Sequence, residues 1–327
     1  MDREMSIKLQ NEITMPLLGI TTHSTQQDEP WGEIVKCAID IGYRHIDCAS
    51  VNQNERIIGE AIAEKIAQGE IEREEIFVTS KLWNNKHEKE AVVPALKRTL
   101  ANLGLQYLDL YLIHWPFSFP DVPGELYPRD ANRKVLTTEI DFKNTWKGME
   151  ECIDKGLAKS IGLSNFNLHQ LREVCRTAKI KPSVLQIECH PYLAQLELIK
   201  VCKSKNIEIT AYMPLGKRIP PMRGRSLIKD PVLVNLGLKH KRTPAQIALR
   251  YQMDRGVAAL PRTLKKERLK ENFNIFDFSL SEKDILVLDC LNKDERYMEL
   301  KEYSNHKYYP FENVPHEQEP TPAEVNQ

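Results

Sequence analysis

Eight times between about residue 17 and residue 290, a short β-branched run is followed by a longer amphipathic run. The first four pairs are 17–20 with 30–41, 45–47 with 54–68, 75–81 with 89–103, and 107–114 with 142–155. The second four are 159–164 with 168–177, 184–189 with 195–204, 208–213 with 243–255, and 257–261 with 265–272. A strand that returns through a helix must lie parallel to the next strand, so this alternation predicts a parallel sheet. The run at 107–114 is almost continuously apolar, as a parallel strand covered on both faces should be. Eight units in one chain predict a closed (β/α)8 barrel of the TIM type. An open dinucleotide-binding sheet would carry GxGxxG after its first strand, whereas Gly19 is the only glycine near that turn.

A barrel of this kind takes about 250 residues as one domain, and the chain has 327. The surplus is expected in identifiable pieces. Residues 6–10 and 12–15 flank Asn11 and predict a hairpin over the barrel floor. Residues 115–140 form a long loop rich in proline and aromatics, and 217–229 form a basic loop. Residues 281–291 open with a capping-box-like Ser-Glu-Lys-Asp and predict an extra helix. One barrel domain is therefore expected over 1–311. Residues 312–327, rich in Glu and Pro and poor in apolar side chains, read as a disordered tail.

Lys+Arg and Asp+Glu both number 46. A net charge of zero gives no attraction to nucleic acid or to an anionic membrane. No run approaches 18 apolar residues, so no membrane span is expected. The start, Met1-Asp2-Arg3-Glu4, lacks the pattern of a signal peptide. Seven cysteines without a CxxC pair read as the free thiols of a cytoplasmic protein, with no disulfide framework and no structural metal site.

Three polar residues end successive predicted strands: Asp47, Lys81 and His114. Strand C-termini form the active face of such a barrel. A carboxylate can orient a neighbouring lysine, and a histidine beside them can hydrogen-bond a substrate oxygen. The set suits a reaction in which negative charge grows on a carbonyl oxygen as hydride arrives. Any one of the three alone would read as an ordinary buried ion pair or core histidine.

Longer segments carry a resemblance. Residues 42–47, Gly-Tyr-Arg-His-Ile-Asp, with Asn54-Glu55 beyond them, resemble the first signature of the aldo-keto reductases. Residues 110–116 resemble their histidine segment, and 156–166 and 186–192 resemble two further signatures. Pro261-Arg262-Thr263, Arg268 and Glu271-Asn272 resemble the cofactor segment, and the likeness runs in order over about residues 5–312. The resemblance implies a monomeric barrel that binds NADP(H) in extended form and reduces a small-molecule carbonyl. It implies that Ser164, Asn165 and Gln186 hold the nicotinamide carboxamide and that Tyr212 stacks on its ring. Leu215, Gly216 and Lys217 then pass over the pyrophosphate, with Arg218, Arg223 and Arg225 on the same loop. Arg262, Thr263 and Arg268 meet the 2′-phosphate, and Asn272 meets the adenine. Arg262 stands where Lys is more usual, and two guanidiniums can still clamp a phosphate.

The chain departs from the pattern at its centre. The family's proton donor is a tyrosine five residues after the Asp, and here that position is Asn52, with the flanking spacing intact. An amide can hydrogen-bond a carbonyl but cannot supply a proton. Thr21-Thr22-His23 stands where Gly-Thr-Trp is usual, Met213 stands at a usual serine, and Lys217 at a usual small residue. Two main readings follow. One is an NADPH-dependent reductase whose proton comes from His114, Lys81 or a water between them. The other is an NADP(H)-binding sensor or scaffold without turnover. Different chemistry that needs no acid is a third. A Schiff-base lyase with Lys81 as nucleophile is disfavoured, because Asp47 beside it opposes the lowered lysine pKa that chemistry needs. The expected pocket wall comprises His23, Trp83, Trp115 and Phe117 with residues 297–311, and favours apolar aldehydes, ketones or flat rings. Trp146 is expected in the core.

Overall fold

The computed structural model describes residues 5–24, 26, 28–216 and 226–311. Strands β1 (Ser6–Lys8) and β2 (Thr14–Pro16) form the hairpin, antiparallel with Ile7 opposite Met15. The barrel follows as β3 (Ile20–Thr21), β4 (His45–Asp47), β5 (Phe77–Leu82), β6 (Leu110–Ile113), β7 (Ile161–Ser164), β8 (Val184–Glu188), β9 (Glu208–Tyr212) and β10 (Val257–Leu260). Each strand pairs in parallel with the next. The ring closes where the Gly19 amide donates to the Ala259 carbonyl (3.0 Å) and the Ala259 amide to that of Leu17 (2.8 Å). Residues 17–19, expected as a strand, supply this seam, and regular pairing with β4 begins at Ile20.

The helices α1 (Trp31–Ile41), α2 (Glu55–Ala67), α3 (Lys89–Leu103), α4 (Phe142–Asp154), α5 (Leu168–Thr177) and α6 (Leu196–Ser204) fall within one residue of their predicted bounds. Helix α7 (Pro231–His240) has no counterpart among the predicted elements. Asp230-Pro231 has the look of a turn. Here Asp230 caps the helix, accepting from the Val232 amide at 2.9 Å, and Pro231 takes the first position, where its missing N–H costs nothing. Helices α8 (Pro244–Asp254), α9 (Lys266–Phe273) and α10 (Glu282–Asp289) complete the chain.

The hairpin turn plugs the barrel's N-terminal end. Gln10 Nε2 donates to the carbonyls of Lys181 (2.9 Å) and Pro182 (3.0 Å), and Asn11 Nδ2 to that of Lys159 (2.8 Å). These carbonyls belong to the chain entering β7 and β8. Gly162 sets the approach of those two strands, since a Cβ there would sit 2.3 Å from the Val184 carbonyl oxygen. A second apolar cluster of Trp83, Trp115, Phe117, Phe119, Tyr303 and Tyr309 gathers the 115–140 loop and the C-terminal segment. Trp146 lies in the main core, as expected.

Burial also makes the fold acid-sensitive. His45 and His87 are fully enclosed, and desolvation lowers their pKa to about 4 and about 3. Between those values and the ordinary 6.5 the unfolded chain binds more protons, so stability is complete above pH 6.5 and falls as pH drops. His45 alone removes on the order of 3 kcal/mol by pH 4. Urea midpoints measured from pH 7.5 to 4 are expected to fall, and His45→Gln to flatten that fall.

Candidate active site

The register of β4 and β5 builds the centre. Asp47 pairs with Thr79, so Lys81 stands two residues further toward the open end. Its side chain reaches back, with Nζ 2.7 Å from Asp47 Oδ1 and 2.7 Å from the Cys48 carbonyl. Gln186 Nε2, from β8, donates to the same Asp47 oxygen at 2.9 Å. Both charges are nearly out of solvent, at 4% and 1% side-chain exposure, so each depends on the other.

His114 follows β6, and its amide donates to the Leu82 carbonyl at 3.1 Å. Its ring meets Trp83 edge-on at 5.3 Å, and Nδ1 is buried without a partner. Burial, then the Lys81 ammonium and the nearby His23 ring, hold its pKa well below 6.5. A neutral imidazole of this kind donates a hydrogen bond and not a proton.

Asn52 closes the 3-10 turn Ser50–Asn52 after β4. Ser50 Oγ anchors that turn to the Lys81 carbonyl at 2.9 Å. His23 is placed from both sides: the Thr22 amide donates to the Asp47 carbonyl (2.9 Å), and Arg262 Nε donates to the His23 carbonyl (2.7 Å). Burial, Arg262 and Lys81 push its pKa below 6.5, while Asn52 and Glu29 act in the opposite direction. Part of the residue nonetheless stays open to solvent.

Of the predicted cofactor residues, Ser164, Asn165 and Tyr212 lie at the ends of β7 and β9, and Gln186 lies within β8. Asn165, in left-handed backbone at φ 61°, donates from Nδ2 to the His114 carbonyl (3.0 Å) and to Ser164 Oγ (3.2 Å). Tyr212 donates its hydroxyl to Asn165 Oδ1 at 2.7 Å. Leu215 and Gly216 follow, whereas Lys217, Arg218, Arg223 and Arg225 lie outside the described residues. Beyond β10, Thr263 Oγ accepts from the Lys265 amide (3.1 Å) and Asn272 is buried in α9. Arg268 is exposed and forms no ion pair among the described residues. Arg262 is engaged by Glu29, with Nη2 2.5 Å from Oε1.

Trp83, Trp115 and Phe117 share one aromatic cluster. Phe117 is fully buried against Tyr303 (5.0 Å) and backs the wall rather than facing an opening. A cleft of 660 Å³ opens beside Trp83, lined by Ser50, Gln53, Asn85, Arg98 and others; Asp47, Lys81 and His114 do not line it.

Two positions were not singled out from sequence. Glu188, at the end of β8, is fully buried and accepts from the amides of Tyr297 (2.7 Å) and Met298 (2.8 Å) and from His190 Nε2 (3.0 Å). It ties the C-terminal segment to the barrel rim; its only signal is a charge inside an apolar strand. Glu29, which holds Arg262, has none.

Residues 18–293 match the family model of the aldo/keto reductases. The chain belongs to that family. It is 46% identical over 314 residues to aldo-keto reductase family 1 member D1 of Mus musculus, covering 93% of this chain and 96% of that one. Identity to aldo-keto reductase family 1 member A1 of Bos taurus is 44%, covering 91% and 95%. The structure of the aldose reductase from Schistosoma japonicum superposes with a TM-score of 0.88 at 40% identity, over 94% of this chain and 98% of that one. Among the described residues, no helix of this family member is long and apolar enough to cross a membrane.

Proposed function

We propose that the protein reduces a small aldehyde or ketone to the alcohol with NADPH. The observation that carries this reading is the enclosed Asp47–Lys81 pair beside a neutral His114, at the ends of three adjacent strands. Bound NADPH supplies the hydride. His114 donates a hydrogen bond to the carbonyl oxygen, and the Lys81 ammonium, held by Asp47, stabilises the negative charge that grows there. Trp83 and Trp115 exclude water from one side.

The cofactor fits the residues present. Ser164 and Asn165 at the end of β7 and Gln186, paired with Ser164 from within β8, offer amide and hydroxyl groups, and Tyr212 a ring beside them. The exposed Arg268, the Thr263 hydroxyl and the start of α9 suit a 2′-phosphate. Arg268→Ala is expected to weaken NADPH binding at least about tenfold, a charge-assisted contact being worth roughly 1.5–3 kcal/mol, and to leave NADH binding nearly unchanged. Titration of both nucleotides by fluorescence checks this; an equal loss for both contradicts it.

A second reading has its own observation. Asn52 has no transferable proton, and a positioned acid is worth about 10²–10⁴ in rate. A protein that binds NADPH as a sensor or scaffold would need no acid there. NADPH oxidation against a panel of aldehydes and ketones separates the two readings.

A further inference from the structure

We propose that Glu29 determines cofactor specificity: its carboxylate takes the Arg262 guanidinium that would otherwise bind a 2′-phosphate, and so weakens NADPH relative to NADH. The assignment rests on the NADPH reading above. That reading puts a 2′-phosphate beside Arg268, the Thr263 hydroxyl and the start of α9. Arg262 directly precedes Thr263 and carries the second guanidinium of that corner. Its side chain turns instead to the chain between β3 and α1. Nη2 lies 2.5 Å from Glu29 Oε1, and Nε donates to the His23 carbonyl at 2.7 Å. The guanidinium carbon sits 5.4 Å from the centre of the Trp31 ring.

Glu29 is fixed from several sides. Its side chain is 7% exposed. Oε2 accepts from Trp31 Nε1 at 3.0 Å and from Ser24 Oγ at 3.1 Å, while Oε1 takes the guanidinium. A carboxylate enclosed this far depends on its cation, unlike one in a solvated surface pair. Helix α1 begins two residues later and lies beside α9. There Lys266 Nζ is 3.8 Å from Glu33 Oε2, and the Tyr43 hydroxyl donates to the Leu269 carbonyl at 3.0 Å. The anion therefore stands at the edge of the phosphate corner.

Two effects follow, and both act on the 2′-phosphate alone. If Arg262 swings to the phosphate, it leaves the enclosed Glu29 carboxylate uncompensated. If Arg262 stays, the phosphate meets a neutral ion pair in place of a free cation, with a like charge close by. NADH carries a hydroxyl at that position and feels neither effect. The exposed Arg268 then supplies most of the discrimination between the two nucleotides.

The experiment titrates NADPH and NADH by fluorescence into wild type, Glu29→Gln, and Glu29→Gln combined with Arg262→Met. A urea midpoint checks that each is folded. Glu29→Gln keeps the shape and removes the charge. It is expected to bind NADPH about tenfold more tightly, the low end for one charge-assisted contact, and NADH within about twofold of wild type. Adding Arg262→Met should cancel that gain. One measurement needs no variant: the wild-type preference for NADPH over NADH should not exceed about 10²-fold, the yield of a single such contact. Three results each overturn the assignment and leave the NADPH reading standing: unchanged or weaker NADPH binding in Glu29→Gln, a gain that survives Arg262→Met, or a wild-type preference well above that bound. Failure of wild type to bind either nucleotide overturns the NADPH reading and the assignment with it.

Discussion

Lys81→Met is expected to cost about 3–5 kcal/mol of stability and to abolish turnover. The ammonium is 4% exposed and contacts Asp47 Oδ1 and the Cys48 carbonyl, both at 2.7 Å. Its removal leaves a carboxylate that is 1% exposed with only the Gln186 amide to compensate it. The penalty belongs to that stranded charge rather than to a lost attraction. The double variant Lys81→Met, Asp47→Asn should therefore recover most of the stability while staying inactive. Urea midpoints of the two variants decide this. Equal destabilisation of both would show that packing, not charge, governs the position.

Asn52→Tyr is expected to raise turnover at pH 8 by about 10²-fold, within the span typical of a positioned general acid. That span corresponds to roughly 3–5 kcal/mol of barrier. A phenol needs no protonation from acidic solvent, so the rate of this variant should vary little between pH 6 and 8. Steady-state kinetics of wild type and Asn52→Tyr from pH 6 to 8 measure the gain; an unchanged rate would contradict it.

Much of this architecture is written locally in the chain. The bounds of β4, α3 and α5 follow from periodicity and capping residues, such as Asn167 with Gln170 at the start of α5. Asp47, Lys81 and His114 were legible because each ends an apolar strand run. Three things were not. Helix α7 begins with a proline that serves a turn as well as a helix. The loop at 115–140 holds its shape through pairs such as Ser118 with Thr138, which no periodicity announces. Contacts between distant segments are invisible until the barrel closes: Glu188 with the Tyr297 amide, and Glu29 with Arg262. The missing tyrosine could be read from spacing alone.

The most direct test of the account is NADPH oxidation by the wild-type protein against a carbonyl panel at pH 6, with NADPH binding followed by fluorescence in the same samples. The account predicts binding together with turnover of at least one aldehyde or ketone, one alcohol formed per NADPH consumed. Tight NADPH binding with no carbonyl reduced would contradict it, and would make this barrel a cofactor-binding protein that has given up the chemistry.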